Sequence, residues 1–304
     1  MEFETIKSAL GDGLLSFPVT DMNVHGNFDP DGFSNRVDWF MKHDISAVFV
    51  AGGTGEFFSL SEEEYQQIVQ VSVEVVDKKV PVLSSVGRSI PEAIAFAKIA
   101  EQAGIDGLLL MPPYLTGCPE SGLIAYAKTI MQSTKLPVVY YNRANGILSS
   151  QGVAALAEAC PNLIALKDGT GNMQELNDTV KTIGDRLTYI GGVPTAEIIS
   201  EAYLSIGVNT YSSAVFNFVP DLALAFYKAL RAGDQAKVKT IITTFFIPFI
   251  RLRSKKAGYA VSLIKAGADL IGRPAGNVRA PLEMPNQGEI EELKGLIEKA
   301  SSLI

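Results

Sequence analysis

Short apolar runs alternate along the first two thirds of the chain with stretches in which apolar residues recur every three or four positions. The runs predict strands over Leu14–Thr20, Ala47–Gly53, Val80–Gly87, Gly107–Pro113, Pro137–Asn142, Leu163–Gly169, Thr188–Gly192 and Val208–Ala214. The periodic stretches between them predict helices and carry start signals: Ser61-Glu62-Glu63-Glu64, Ser89-Ile90-Pro91-Glu92, and Asn172 ahead of Met173–Ile183. Gly104, Gly184 and Gly207 supply helix stops. Eight βα units over about 230 residues predict an α/β fold of the (β/α)8 TIM barrel type rather than an open sheet. After Pro220 the alternation ends. Phe226 to Lys256, Gly258 to Ile271 and Gly288 to Ser302 read as helices, with a Pro-rich link from Arg273 to Pro285. The expected organisation is a catalytic barrel over residues 1–225 and a C-terminal helical extension over 226–304 packed on it.

In such barrels the chemistry sits at the carboxyl ends of the strands. One end stands out. Leu163-Ile164-Ala165-Leu166 is apolar enough for a strand buried on both faces, and Lys167 follows directly. Either the lysine turns into water at the strand end, or it stays desolvated, its pKa lowered and its amine free to attack a ketone. Tyr140 and Tyr141 close the preceding strand and point to opposite faces, so only one can meet that lysine. A phenol there can pass protons during carbinolamine formation and dehydration. Gly52-Gly53-Thr54-Gly55-Glu56 fits neither a dinucleotide nor a P-loop pattern, and reads as a tight turn or a cradle of N–H groups, with Glu56 as a first-turn acid. Arg88, Arg143 and Arg279 are candidate carboxylate clamps. Arg143 is favoured because it follows the tyrosine strand.

Composition narrows the chemistry. The 304 residues are 47% hydrophobic, enough for a substantial core, and carry a net charge of −7. No basic surplus exists for nucleic acid or an anionic membrane. The start of the chain has no signal pattern and no run of about 18 uncharged apolar residues occurs, so a cytoplasmic protein is expected. Cys118 and Cys160 lack metal-ligand spacing, and His25 and His43 are the only histidines. That scarcity shifts the chemistry towards lysine, tyrosine and carboxylates.

Gly52-Gly53-Thr54-Gly55-Glu56, Tyr141-Asn142 and Leu166-Lys167-Asp168-Gly169-Thr170-Gly171-Asn172 resemble, in order and spacing, three motifs of the dihydrodipicolinate synthase / N-acetylneuraminate lyase superfamily. The resemblance covers nearly the whole chain. It implies a (β/α)8 barrel, a Schiff-base lysine at Lys167, a catalytic tyrosine at Tyr141, a carboxylate-binding turn at Gly53 and Thr54, and a homo-oligomer, commonly a tetramer. Three positions depart from the synthases: Gly53 replaces a threonine, Leu115 a second tyrosine, and Gly146 a carboxylate-binding arginine. The first two belong to the synthase proton relay. Tyr141-Asn142-Arg143-Ala144-Asn145-Gly146, Gly192-Val193-Pro194-Thr195-Ala196-Glu197 and Tyr211-Ser212-Ser213-Ala214-Val215-Phe216-Asn217-Phe218 are instead similar to the 5-dehydro-4-deoxyglucarate dehydratase branch.

That branch implies a small sugar-diacid substrate and two steps, dehydration and decarboxylation, run through one iminium at Lys167 without metal or organic cofactor. Arg143, Thr195, Ser212, Ser213 and Asn217 are then candidates for the hydroxyls and the second carboxylate. A retro-aldol lyase releasing pyruvate would use the same Lys167 and Tyr141. A non-catalytic sugar-acid sensor and a helical scaffold are the more distant alternatives.

Overall fold

A computed structural model describes residues 1–114 and 117–304, so the Leu115 position singled out above lies outside the described residues. Eight parallel strands close in sequence order: β1 (Leu15–Ser16), β2 (Ala47–Val50), β3 (Val82–Val86), β4 (Gly107–Leu110), β5 (Val138–Asn142), β6 (Leu163–Asp168), β7 (Thr188–Gly191) and β8 (Thr210–Ser213). The ring is sealed by β1 on β8, with Leu15 opposite Ser212. All eight expected strands are present, each shorter than the apolar run that announced it. The runs continue into loops that peel away: Ala51 and Arg88 take positive φ (49° and 70°), ending any extended path after β2 and β3.

The helices are α1 (Phe3–Gly11), α2 (Pro30–Phe40), α3 (Glu62–Val76), α4 (Ile90–Ala103), α5 (Glu120–Met131), α6 (Ser150–Ala159), α7 (Met173–Ile183), α8 (Ser200–Ser205), α9 (Pro220–Ala232), α10 (Gln235–Ile241), α11 (Ile247–Arg253), α12 (Tyr259–Leu270) and α13 (Gln287–Ser301). The Ser61 and Ser89 start signals both open helices, each as a capping box, and the Asn172 side chain accepts from the Glu175 N–H. Helix α1 had no counterpart among the expected elements. Its Ile6 and Leu10 are fully buried against Leu15, Ala47, Leu83 and Ile190, plugging the barrel end opposite the strand termini.

The single helix expected over Phe226–Lys256 is three pieces. Gly233 in the left-handed region (φ 72°) ends α9, and the Asp234 carboxylate caps α10 by accepting from the Lys237 N–H. A π-helical turn, Ile242–Phe246, then leads into α11. Pro248 stands just beyond it, and its ring cannot fit against a regular α-turn, so the backbone widens ahead of it. Helix α9 runs across the 225/226 border drawn from the end of the alternation.

The extension is fastened to the barrel by rings and by buried charge. Phe218 packs on Phe245 and Phe249. Lys265 Nζ on α12 lies 2.7 Å from Glu56 Oε1, both side chains fully buried, and the other Glu56 oxygen accepts from the Arg279 N–H. Arg36 grips Asp21 with two hydrogen bonds of 2.7 and 2.8 Å and also donates to the Arg273 carbonyl. The Pro-rich link is thereby held over the β1 and β2 loops. Among the described residues no helix is long and apolar enough to cross a membrane.

Candidate active site

Strands β5 and β6 are in register with Tyr141 opposite Lys167. A register shift between Val138 and Val139 absorbs Ile164, which turns Ala165 and Lys167 inward while Leu166 faces the helices. The two tyrosines divide as alternation requires. Tyr140 faces the helices and donates to the Gly146 carbonyl at 2.7 Å, whereas Tyr141 faces the barrel axis.

Lys167 does not escape to water. Its residue is only 4% exposed, and Nζ sits 3.9 Å from the centre of the Phe17 ring and 4.5 Å from that of Tyr141. Among the described residues it has no hydrogen bond or ion pair. Burial drives its pKa well below the ordinary lysine value, and the Arg143 guanidinium nearby pushes the same way. The amine is therefore neutral and nucleophilic nearer to neutral pH than a free lysine. Burial raises the Tyr141 pKa, partly offset by Arg143. Its hydroxyl donates to the Gly192 carbonyl at 2.6 Å and faces Arg143 Nη1 at 3.5 Å.

Glycines make room for this pair. A Cβ at Gly192 would lie 2.6 Å from Lys167 Cε and Cγ, and one at Gly169 would lie 2.8 Å from the Tyr141 ring. Asp168 points outward and anchors its turn, accepting from the Tyr203 hydroxyl at 2.7 Å and from the Thr170 and Gly171 N–H groups.

Lys167 and Tyr141 stand at the floor of a cleft of about 1130 Å³. Gly53, Thr54, Arg143, Thr195 and Ser212 line it, so five of the seven residues expected to bind substrate gather around the lysine. Ser213 and Asn217 do not. Ser213 Oγ donates to Glu197 Oε1 at 2.7 Å, and the Asn217 amide joins the Phe17 carbonyl to the Val19 N–H; both are fully buried in the scaffold behind β8. Strand alternation separates Ser212 from Ser213, and the five-residue run to Asn217 carries no sign of the turn that buries it. Glu56, expected as a first-turn acid, stands at the cap of the short helical turn that follows and is half of the buried pair with Lys265, held in a left-handed conformation (φ 58°).

The three candidate arginines also separate. Arg88 is stacked on Phe57 and Phe96 and donates to the Phe57 and Leu60 carbonyls. Arg279 is bound to Glu64 and to the Gly26 carbonyl. Arg143 alone of the three pairs with no acid among the described residues, and its Nη1 would be 3.8 Å from a Cβ on Gly53. Arg253, at the end of α11, was not among the expected residues, yet it lines the same cleft. In the sequence it belongs to a basic run, Arg251-Leu252-Arg253-Ser254-Lys255-Lys256, that reads as a solvated helix end. Phe17 was also missed, since its neighbours mark it only as strand.

Residues 11–300 match the Dihydrodipicolinate synthetase family. The chain belongs to that family. Within it, the chain is 49% identical over 298 residues to a probable 5-dehydro-4-deoxyglucarate dehydratase of Rhizobium meliloti, covering 98% of this chain and 99% of the relative. It is 47% identical, over 98% of both chains, to a protein of the same name from Rhodococcus opacus. Among solved members of the dihydrodipicolinate synthetase family, dihydrodipicolinate synthase of Oceanobacillus iheyensis superposes with a TM-score of 0.90 at 22% identity, over 98% of this chain and 99% of the other. A prophage protein of the same family from E. coli K12, solved with pyruvate, gives 0.85 at 28% identity over 95% and 98%.

Proposed function

We propose that the protein is a Schiff-base lyase that dehydrates and decarboxylates 5-dehydro-4-deoxy-D-glucarate to 2,5-dioxopentanoate, CO2 and water. The observation that carries the reading is the Lys167–Tyr141 pair: a desolvated amine with no hydrogen bond or ion pair among the described residues, beside a phenol, at the floor of a cleft whose charged lining among those residues is cationic apart from Glu92. The names of the full-length relatives at 47–49% identity support the substrate.

In this reading the Lys167 amine adds to the ketone carbon, and loss of water from the carbinolamine gives an iminium that acidifies the adjacent CH2. Proton loss forms an enamine, which expels the β-hydroxyl as water with a proton delivered through Tyr141. The new double bond is conjugated with the iminium. The distal carboxylate can then leave as CO2, its bonding electrons flowing through that system to the same nitrogen. Tautomerisation of the resulting enol to the aldehyde, and hydrolysis of the imine, release product and free the amine. No step calls for a metal or an organic cofactor.

Gly53 and Thr54 are assigned the carboxylate next to the ketone, with Arg143 adding its charge from beside Gly53. Thr195 and Ser212 are assigned substrate hydroxyls. A cytoplasmic homotetramer is part of the same reading. Incubation with the diacid and borohydride, followed by mass spectrometry and assay of CO2 and pyruvate, tests the proposal. A reduced adduct on Lys167, absent in Lys167→Ala, with CO2 and no pyruvate is expected. Pyruvate release would move the protein to the aldolases, and a missing adduct would remove the lysine from the chemistry.

A further inference from the structure

The proposed substrate has two carboxylates, and the strand ends account for one. The cleft offers two arginines that pair with no carboxylate within ion-pair distance among the described residues: Arg143 on the β5 loop and Arg253 on the extension. They belong to different parts of the lining. Arg143 reaches towards Gly53 and the Tyr141 hydroxyl. Arg253 is half-buried and donates through Nη1 to the hydroxyl of Thr195, in the loop that carries Gly192 past Lys167. Thr195 is held with φ 57°, a conformation unusual for a β-branched residue and stabilised here by its neighbours. The charge of Glu197 acts on Arg253, but its carboxylate is buried and hydrogen-bonded to Ser213, with no ion pair between the two. An unpaired guanidinium held in a cleft, braced by one hydroxyl and with donors to spare, suits a bound carboxylate.

We infer that Arg253 reads the distal carboxylate of the diacid, so that the C-terminal extension, and not the barrel alone, selects a diacid over the corresponding monoacid. This rests on the proposed Schiff-base reading. The substrate would lie with its ketone-side carboxylate at Gly53, Thr54 and Arg143, its carbonyl carbon at Lys167, and its far end at Thr195 and Arg253. Because that carboxylate departs as neutral CO2, the Arg253 contact favours the bound ground state and is not strengthened in the transition state. It therefore acts on KM more than on kcat.

The test compares the diacid with the monoacid that carries a hydroxymethyl group at that end, in wild type, Arg253→Gln and Arg253→Lys. The readouts are steady-state turnover of the diacid and borohydride-trapped adduct against concentration for both compounds. In Arg253→Gln the diacid KM and half-trapping concentration rise about 10- to 100-fold, with kcat within about threefold, while the half-trapping concentration of the monoacid, which shares only the Thr195 contact, rises less than about threefold. Arg253→Lys recovers part of the loss. Equal weakening of both compounds, or a diacid preference kept by Arg253→Gln, would overturn the inference. Failure of the underlying reading looks different, since wild type itself would then give no adduct with either compound.

Discussion

Replacing Lys167 with methionine should make the protein more stable while ending its chemistry. The unfolded chain holds this amine protonated up to the ordinary lysine pKa, and the folded chain, by burying it, does not. Between the lowered folded pKa and about 10.4 the unfolded state binds one more proton, so wild-type stability rises with pH across that window. Below the window the full cost is present, about 1.4 kcal/mol for each unit of depression. Methionine matches the length and flexibility of the lysine stem and keeps its packing on Phe17 and Tyr141 without the ammonium. For 304 residues, 1 kcal/mol moves the melting temperature by about 1.5 °C, so each unit amounts to roughly 2 °C. Melting temperatures of wild type and Lys167→Met, at equal protein concentration from pH 6 to 10, measure the effect. The variant should melt higher at neutral pH, with the gap closing as pH rises towards 10. A variant less stable than wild type at pH 7, or a gap independent of pH, would refute the claim that Lys167 is buried at a cost.

Three further substitutions examine the scaffold. Lys265→Met strands the Glu56 carboxylate in the interior and should cost about 3–5 kcal/mol in urea denaturation, whereas adding Glu56→Gln should recover much of it, the two effects being strongly non-additive. Gly192→Ala puts a methyl group 2.6 Å from the Lys167 stem and 2.7 Å from the Asp168 carbonyl; borohydride trapping should fall to background while the melting transition stays cooperative and loses about 1–3 kcal/mol.

Much of this protein is written locally. Eight apolar runs, serine and asparagine caps and glycine stops specify the βα order, because each depends on backbone chemistry within a few residues, and a parallel closed sheet is the arrangement that buries runs apolar on both faces. Lys167 and Tyr141 were legible for the same reason: adjacent strand ends bring them together, and alternation sends one tyrosine inward. What depends on distant parts of the chain was not legible. The plug formed by Ile6 and Leu10 exists only against residues from several strands, and the Glu56–Lys265 pair joins positions that share no local pattern. Ser213 and Asn217 look like Ser212 in sequence, and only the closed barrel decides that they spend their polar atoms on scaffold hydrogen bonds. Arg253 looks like a solvated helix end until the π-turn and α11 bring it back over the cleft. Chain order determined where the reactive groups could stand, and tertiary burial decided which of them lose water, and with it their ordinary pKa and partners.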